Sequence, residues 1–327
     1  MVTPLMSDLC SLQCAFTEAS PGPGFSVSLY NPLASVVSSP VRLPVSSCSQ
    51  SYAVTTEAGA VLASQLVPAP AEVLTIPGRD SSAVCELVFI AQDLPPLGVA
   101  TFQVTKKEGE TQKPTVESIK RRTNIFNHHL KISFSDSGKL SKIYTKEKSE
   151  IHLRQDFAYY RGAAGHNSPP LYEDRASGAY IFRPLHQEPE PVGDPLSASV
   201  IRGPVVQEVH QRFNNWTSQV IRLYTHARTV EFEWMVGPLP QQEADTPGLE
   251  VITRYTTDLQ TEDRFLTDSN GRFMIERRRD SRPTWDLNLT EPVASNYYPV
   301  DSRLALVEDS NEVSTALIMS VDIPMTP

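Results

Sequence analysis

Glycine is scarce in this chain, 15 residues in 327, and no apolar run reaches the roughly 18 residues that a membrane span needs. No bilayer segment is expected. A sustained 3.6-residue apolar period is also missing, which argues against long amphipathic helices. Basic charge is in deficit: 29 Lys and Arg against 38 Asp and Glu leave a formal net charge of -9. A chain that repels phosphate overall needs a segregated basic face to hold nucleic acid. Only the KRR run at Lys120 to Arg122 and the ERRR run at Glu276 to Arg279 qualify. The amino terminus, MVTPLMSDLCSLQCAF, lacks a basic n-region ahead of an apolar h-region, so no signal peptide is read in it. There is no HExxH, GxSxG, P-loop or GxGxxG, so no self-contained enzyme announces itself.

Cysteine is limited to Cys10, Cys14, Cys48 and Cys85. Cys10 and Cys14 are assigned a small disulfide loop. A broken metal site is the weaker reading without a CxxC pair or a suitably spaced histidine, and unpaired buried thiols stay open.

Proline, by contrast, is plentiful at 27 residues and favours extended segments over helices. Phe25, Val27 and Leu29 alternate with serines, and short β-rich runs closed by Pro, Gly or Ser continue as far as VATFQVTKK. The pattern predicts an N-terminal segment with the Cys pair at 1–19 and a small seven-strand β-sandwich at 20–106. A polar linker is expected at 107–122 and a second, larger β domain at 123–327. Leu130, Ile132 and Phe134 share one face of a hairpin that turns at Asp136-Ser137-Gly138. The stretch 154–199, rich in Gly, Pro and aromatics, predicts long loops. Val230, Phe232, Trp234 and Val236 form one face of a half-buried strand with Glu231 and Glu233 on the other. Asn270-Gly271 supplies the positive φ angles of a hairpin turn. The chain reads as all-β.

Candidate chemistry is thin. His128 and His129 are strand neighbours that point to opposite faces, so they do not readily share one metal ion. Glu173-Asp174 and Glu188-Pro189-Glu190 are acid pairs in Pro-rich loops, where solvated carboxylates are the ordinary outcome. Arg277 and Arg279 share a strand face and Arg278 takes the other, which splits the charge. With Asp258, Glu262, Asp263 and Asp268 close by in sequence, internal ion pairing is expected there. Asn215-Trp216-Thr217 and Asn288-Leu289-Thr290 are glycosylation sequons, with Asn215 and Asn288 as acceptors.

Several segments taken together resemble glycoside hydrolase family 38: YNPLA followed by VRLPV, ASGAYIFRP, GPVVQEVHQRF, TVEFEWMVGPLP, TDSNGRFMIERRRDSRPTW and LNLTEPVASNYYPV. The likeness runs from about residue 10 to 305 and points to the lysosomal acid α-mannosidase branch. It implies a small sandwich followed by a mutarotase-like β super-sandwich, here cut short, because VEDSNEVSTALIMSVDIPMTP diverges where the family carries an Arg near a Gly-Gly-Ser-Ser turn. It also implies retaining hydrolysis of terminal α-mannose in glycoprotein oligosaccharides, within mannose metabolism. The zinc, its His and Asp ligands and the aspartate nucleophile belong to the family's amino-terminal domain, and no position here matches their motifs. No cofactor is therefore expected in this chain, zinc is expected in that missing domain, and the chain alone is expected to be inactive. Tyr180 in SGAYIF is similar to the tyrosine that family members lend to the sugar pocket, while a tyrosine packed in a strand is the competing reading. The implied partners are a mannose-containing oligosaccharide and the catalytic domain, with neither nucleic acid nor membrane. The implied location of the full-length protein is the lysosome lumen or the secretory pathway. A non-catalytic carbohydrate-binding or scaffold module is the alternative.

Overall fold

The computed structural model describes residues 15–19, 22–111, 113–119, 123–146, 150–166, 175–178, 180–240, 248–309 and 314–320. Cys10, Cys14 and the Glu173-Asp174 pair lie outside the described residues. The protein is all-β apart from short helical turns such as Ala15–Ala19 and Ala71–Leu74. No helix among the described residues is long and apolar enough to cross a membrane. The chain divides into two compact units, one drawn from Met1–Gly138, Tyr144–Lys148 and Pro195–Gly237, the other from Lys139–Ile143, Ser149–Asp194 and Pro238–Pro327.

The first unit opens with seven strands: β1 (Gly24–Tyr30), β2 (Val37–Val45), β3 (Gln50–Thr56), β4 (Val61–Leu62), β5 (Ser64–Pro68), β6 (Cys85–Leu94) and β7 (Val99–Thr111). They form a four-stranded sheet in the order β1-β7-β3-β4 and a three-stranded sheet in the order β2-β6-β5. Alternation explains the layering: Phe25 and Leu29 of β1, Val41, Leu43 and Val45 of β2, Leu87 and Phe89 of β6, and Phe102 and Val104 of β7 turn inward to a common core. Cys48, in the connection between β2 and β3, is joined by a disulfide to Cys85 at the start of β6, Cα to Cα 5.4 Å. Within the stretch read as a polar linker, β7 runs on to Thr111 and β8 (Val116–Ser118) forms a further short strand.

The same unit holds β9 (Asn124–Phe126), β10 (Leu130–Phe134), β14 (Ser197–Ile201), β15 (Val206–Arg212), β16 (Thr217–Tyr224) and β17 (Glu231–Val236). A five-stranded sheet runs β17-β16-β15-β14-β8. Every residue of β16 is buried, because both of its faces are covered. One cover is the outer side of the sandwich, where Val67 and Val88 pack against Val205, Val206 and Tyr224. Ile132 and Phe134 are buried as their shared face requires, and Gly138 takes a φ of 84° in the turn after β10.

The second unit is built on β12 (Glu150–Arg161), whose partner β18 (Leu249–Thr257) runs antiparallel to it in register from Leu153↔Thr257 to Arg161↔Leu249, with β13 (Glu190–Pro191) on its other side. β12 continues to Arg161, so the long loops expected from residue 154 begin only at 162; the strand is held by pairing along its length. β11 (Leu140–Thr145) lies where the chain passes between the units. The remaining sheet has the order β20-β19-β21-β22, from β19 (Arg264–Ser269), β20 (Phe273–Arg278), β21 (Arg303–Asp309) and β22 (Ser314–Ser320). Asn270 and Gly271 adopt φ of 51° and 66° in the β19–β20 turn, as an Asn-Gly hairpin requires.

Candidate functional site

Tyr180 sits on a tight turn of the second unit. The Gly178 amide donates to the Ile181 carbonyl (2.9 Å) and the Ile181 amide donates back (3.3 Å). The Tyr180 side chain is fully exposed, at 101% of its reference area. Two residues on, the Phe182 ring meets Tyr160 edge-on at 5.5 Å and Tyr297 in a stack at 4.8 Å and 25°. Burial, then the neighbouring Tyr160 and the Glu250 carboxylate, push the Tyr297 phenol up to about 12. Arg183 pairs through Nε with Glu291 (3.0 Å), and its Nη1 donates to the Arg175 carbonyl (2.8 Å). SGAYIFRP and LNLTEPVASNYYPV, more than a hundred residues apart, thus meet at one place.

Tyr298 faces a different set of partners. The guanidinium groups of Arg277 and Arg282 lie 5.2 and 5.0 Å from its ring centre, Phe265 meets it edge-on at 5.3 Å, and Arg282 donates to its hydroxyl. Arg277 Nε also donates to Thr267 Oγ1 (3.2 Å). Ion pairing with the nearby acids was the expectation for the run Arg277 to Arg279; Arg277 instead meets a ring and a hydroxyl, while Arg279 does pair with an acid, Asp280. Asp268 instead accepts from the amides of Gly271, Asp301, Ser302 and Arg303 at 2.8–3.0 Å, and these hydrogen bonds, the Arg303 amide foremost, hold its carboxyl far below the usual range. Arg278 is exposed, and Arg279 stands 3.5 Å from Asp280. A carboxylate surrounded by backbone donors has no need of a guanidinium, and an Arg beside a tyrosine face gains a cation–π contact there.

Glu190 is engaged as well: it accepts from the Tyr159 hydroxyl (2.7 Å) and from Arg161 Nε (2.7 Å), which lowers its carboxyl below the ordinary value. Its side chain is 41% exposed, so the carboxylate is solvated, as its Pro-rich loop suggests, and paired as well. His128 stacks on His226 at 6.1 Å. Among the described residues no three His, Cys, Asp or Glu side chains come close enough to hold a metal ion. The described residues do not fit a zinc site. Asn215 is exposed in the β15–β16 turn and Asn288 is exposed in the loop after β20.

Sequence reading missed a buried ionic cluster in the first unit. Glu208 of β15, 1% exposed, accepts from Arg222 Nε (2.9 Å), forms an ion pair with Arg42 Nη1 (2.9 Å) and meets His210 Nε2 at 2.8 Å. Arg42 also binds Glu86 (2.5 Å), and Arg222 binds Glu233. Burial raises the Glu208 carboxyl, but Arg42, Arg222 and His210 outweigh it and hold the group far below the usual range. No local signal marks this cluster, since its members are spread from residue 42 to residue 233 and each sits in an ordinary strand.

The described residues thus present stacked antiparallel sheets and an exposed aromatic turn. Residues 125–318 match the profile of the glycosyl hydrolases family 38 C-terminal domain. The chain is 41% identical over 298 residues to the lysosomal alpha-mannosidase of Homo sapiens, covering 89% of this chain and 28% of that protein. It is 40% identical over 301 residues to that of Felis catus, at 90% and 28%. Against the alpha-mannosidase of Canavalia ensiformis it is 41% identical over 226 residues, at 68% and 22%. This chain belongs to glycosyl hydrolase family 38, and it spans about 28% of the length of the lysosomal relatives it matches.

Proposed function

We propose that this chain is the β-domain portion of a retaining lysosomal-type α-mannosidase that removes terminal α-mannose from glycoprotein oligosaccharides. Tyr180 is its contribution to the sugar pocket, and the zinc ligands and attacking carboxylate come from polypeptide outside these 327 residues. The observation that carries this reading is the family match over residues 125–318, joined to relatives about 40% identical that are named lysosomal alpha-mannosidase. An exposed tyrosine with an apolar face and a polar tip suits a pyranose ring. A lysosomal or secretory location is supported by the naming of the relatives, by the exposed Asn215 and Asn288, and by the Cys48–Cys85 disulfide, a bond typical of oxidising compartments. The test is turnover of an aryl α-mannoside by the purified chain, with and without added zinc. No turnover is expected. Zinc-dependent hydrolysis with retained anomeric configuration overturns the proposal.

The full exposure of Tyr180 favours one further reading, a carbohydrate-binding module that acts without a catalytic partner. Saturable binding of methyl α-mannoside by the chain alone, lost in Tyr180→Phe, supports it.

A further inference from the structure

We propose that the Glu291–Tyr298 loop holds the Tyr180 turn in one pose, with Tyr297 and Glu291 as its positioning residues. The catalytic meaning of this rests on the reading that Tyr180 meets a sugar; the structural claim stands without it. Two backbone hydrogen bonds close the turn, and a fully exposed side chain at its tip gains nothing from packing. The two residues beyond Ile181 are fixed instead. Phe182 lies between Tyr160 on β12 and Tyr297 on the loop, so its ring cannot leave without losing both neighbours. Arg183 is held at both ends: its side chain reaches Glu291 and the Arg175 carbonyl, its amide donates to Ser177 Oγ (3.2 Å), and its carbonyl accepts from Ala163 (2.8 Å).

The loop is itself anchored on either side of Tyr297. Asn296 Nδ2 donates to Asp280 Oδ1 (2.6 Å) and to the Pro292 carbonyl (2.9 Å). Tyr298 is enclosed by Arg277, Arg282 and Phe265, and Asp268 gathers the three amides from Asp301 to Arg303. The phenol of Tyr297 stays uncharged from acid to mildly alkaline solution, so the stack carries no charge that titration would expose. Pre-organisation of this kind matters wherever a tyrosine must meet a ligand, because a contact already in place costs less ordering on binding.

Amide hydrogen exchange on the full chain tests the proposal. The amides of Gly178 and Ile181, which close the turn, are expected to exchange about 10-fold faster in Tyr297→Ala, the scale of one lost aromatic pair, and at near wild-type rates in Tyr297→Phe. Glu291→Gln is expected to accelerate the same two amides while leaving the β12–β18 amides unchanged. Should Tyr297→Ala disturb β12–β18 as a whole, Glu291→Gln decides the matter. Wild-type turn rates in both Tyr297→Ala and Glu291→Gln overturn the proposal, as does equal acceleration in Tyr297→Ala and Tyr297→Phe. If the turn amides respond as expected and wild-type chain binds no methyl α-mannoside, the sugar reading of Tyr180 falls and the positioning role stands.

Discussion

Arg277 and Arg278 are adjacent residues with opposite environments. Arg277 lies over the Tyr298 ring and donates to Thr267, whereas Arg278 is exposed across the strand from Arg264. Truncating Arg277 to methionine is expected to cost about 1–2 kcal/mol, from one cation–π contact and one hydrogen bond. The same change at Arg278 should stay within about 0.5 kcal/mol, as surface substitutions usually do. Urea unfolding of the two variants checks this, and equal losses would mean that the stack contributes nothing. Part of this contrast is legible in the sequence, because strand alternation alone puts Arg277 and Arg278 on opposite faces. The destination of Arg277 is not legible there: Tyr298 lies twenty-one residues further on in an irregular loop, and only the folded chain brings ring and guanidinium together.

Among the elements, β15 to β17 carry the ionic cluster together with Arg42 of β2 and Glu86 of β6, and Glu208 is its centre. Replacing it by glutamine leaves Arg42 and Arg222 buried without their shared counter-ion, a loss expected to reach about 3–5 kcal/mol. The pH dependence has a definite sign. The folded carboxyl lies below its ordinary value of 4.5, so its contribution is complete above about pH 4.5 and declines as pH falls below that. Denaturant midpoints measured from about pH 7 to pH 3 should fall in the wild type over that acid range and change less in Glu208→Gln; parallel curves would refute the assignment. Glu233 is legible as a residue on the face opposite Phe232 and Trp234. Its buried partner is not, because Arg222 sits in a run that reads simply as apolar strand. Trp234, expected on a half-buried face, is 51% exposed, since β17 is the last strand of its sheet. The strands of the sandwich are readable as far as residue 106 because their inward residues alternate between turn residues such as Gly59 and Pro95, whereas the end of β7 to Thr111 is hidden because KKEGE carries no apolar residue. The disulfide escapes such reading because Cys48 and Cys85 are 37 positions apart, with no spacing rule to join them. Closing a loop of that length restricts the unfolded chain by about 3–4 kcal/mol in the loop-entropy account. Cys48→Ser combined with Cys85→Ser is expected to lower the thermal midpoint by several degrees, and an unchanged midpoint in scanning calorimetry would show that the bond does not form.

For the whole molecule, the first unit is discontinuous, since it takes Pro195–Gly237 back after the chain has entered the second. The outer side of the sandwich, with Val67 and Val88, is covered only when Val205, Val206 and Tyr224 arrive. During synthesis a ribosome will release the complete seven-strand sandwich well before those covering residues exist. Nascent chains should therefore expose an apolar face that attracts chaperones until β16 has emerged, and vectorial folding of one finished domain after another is closed to this protein.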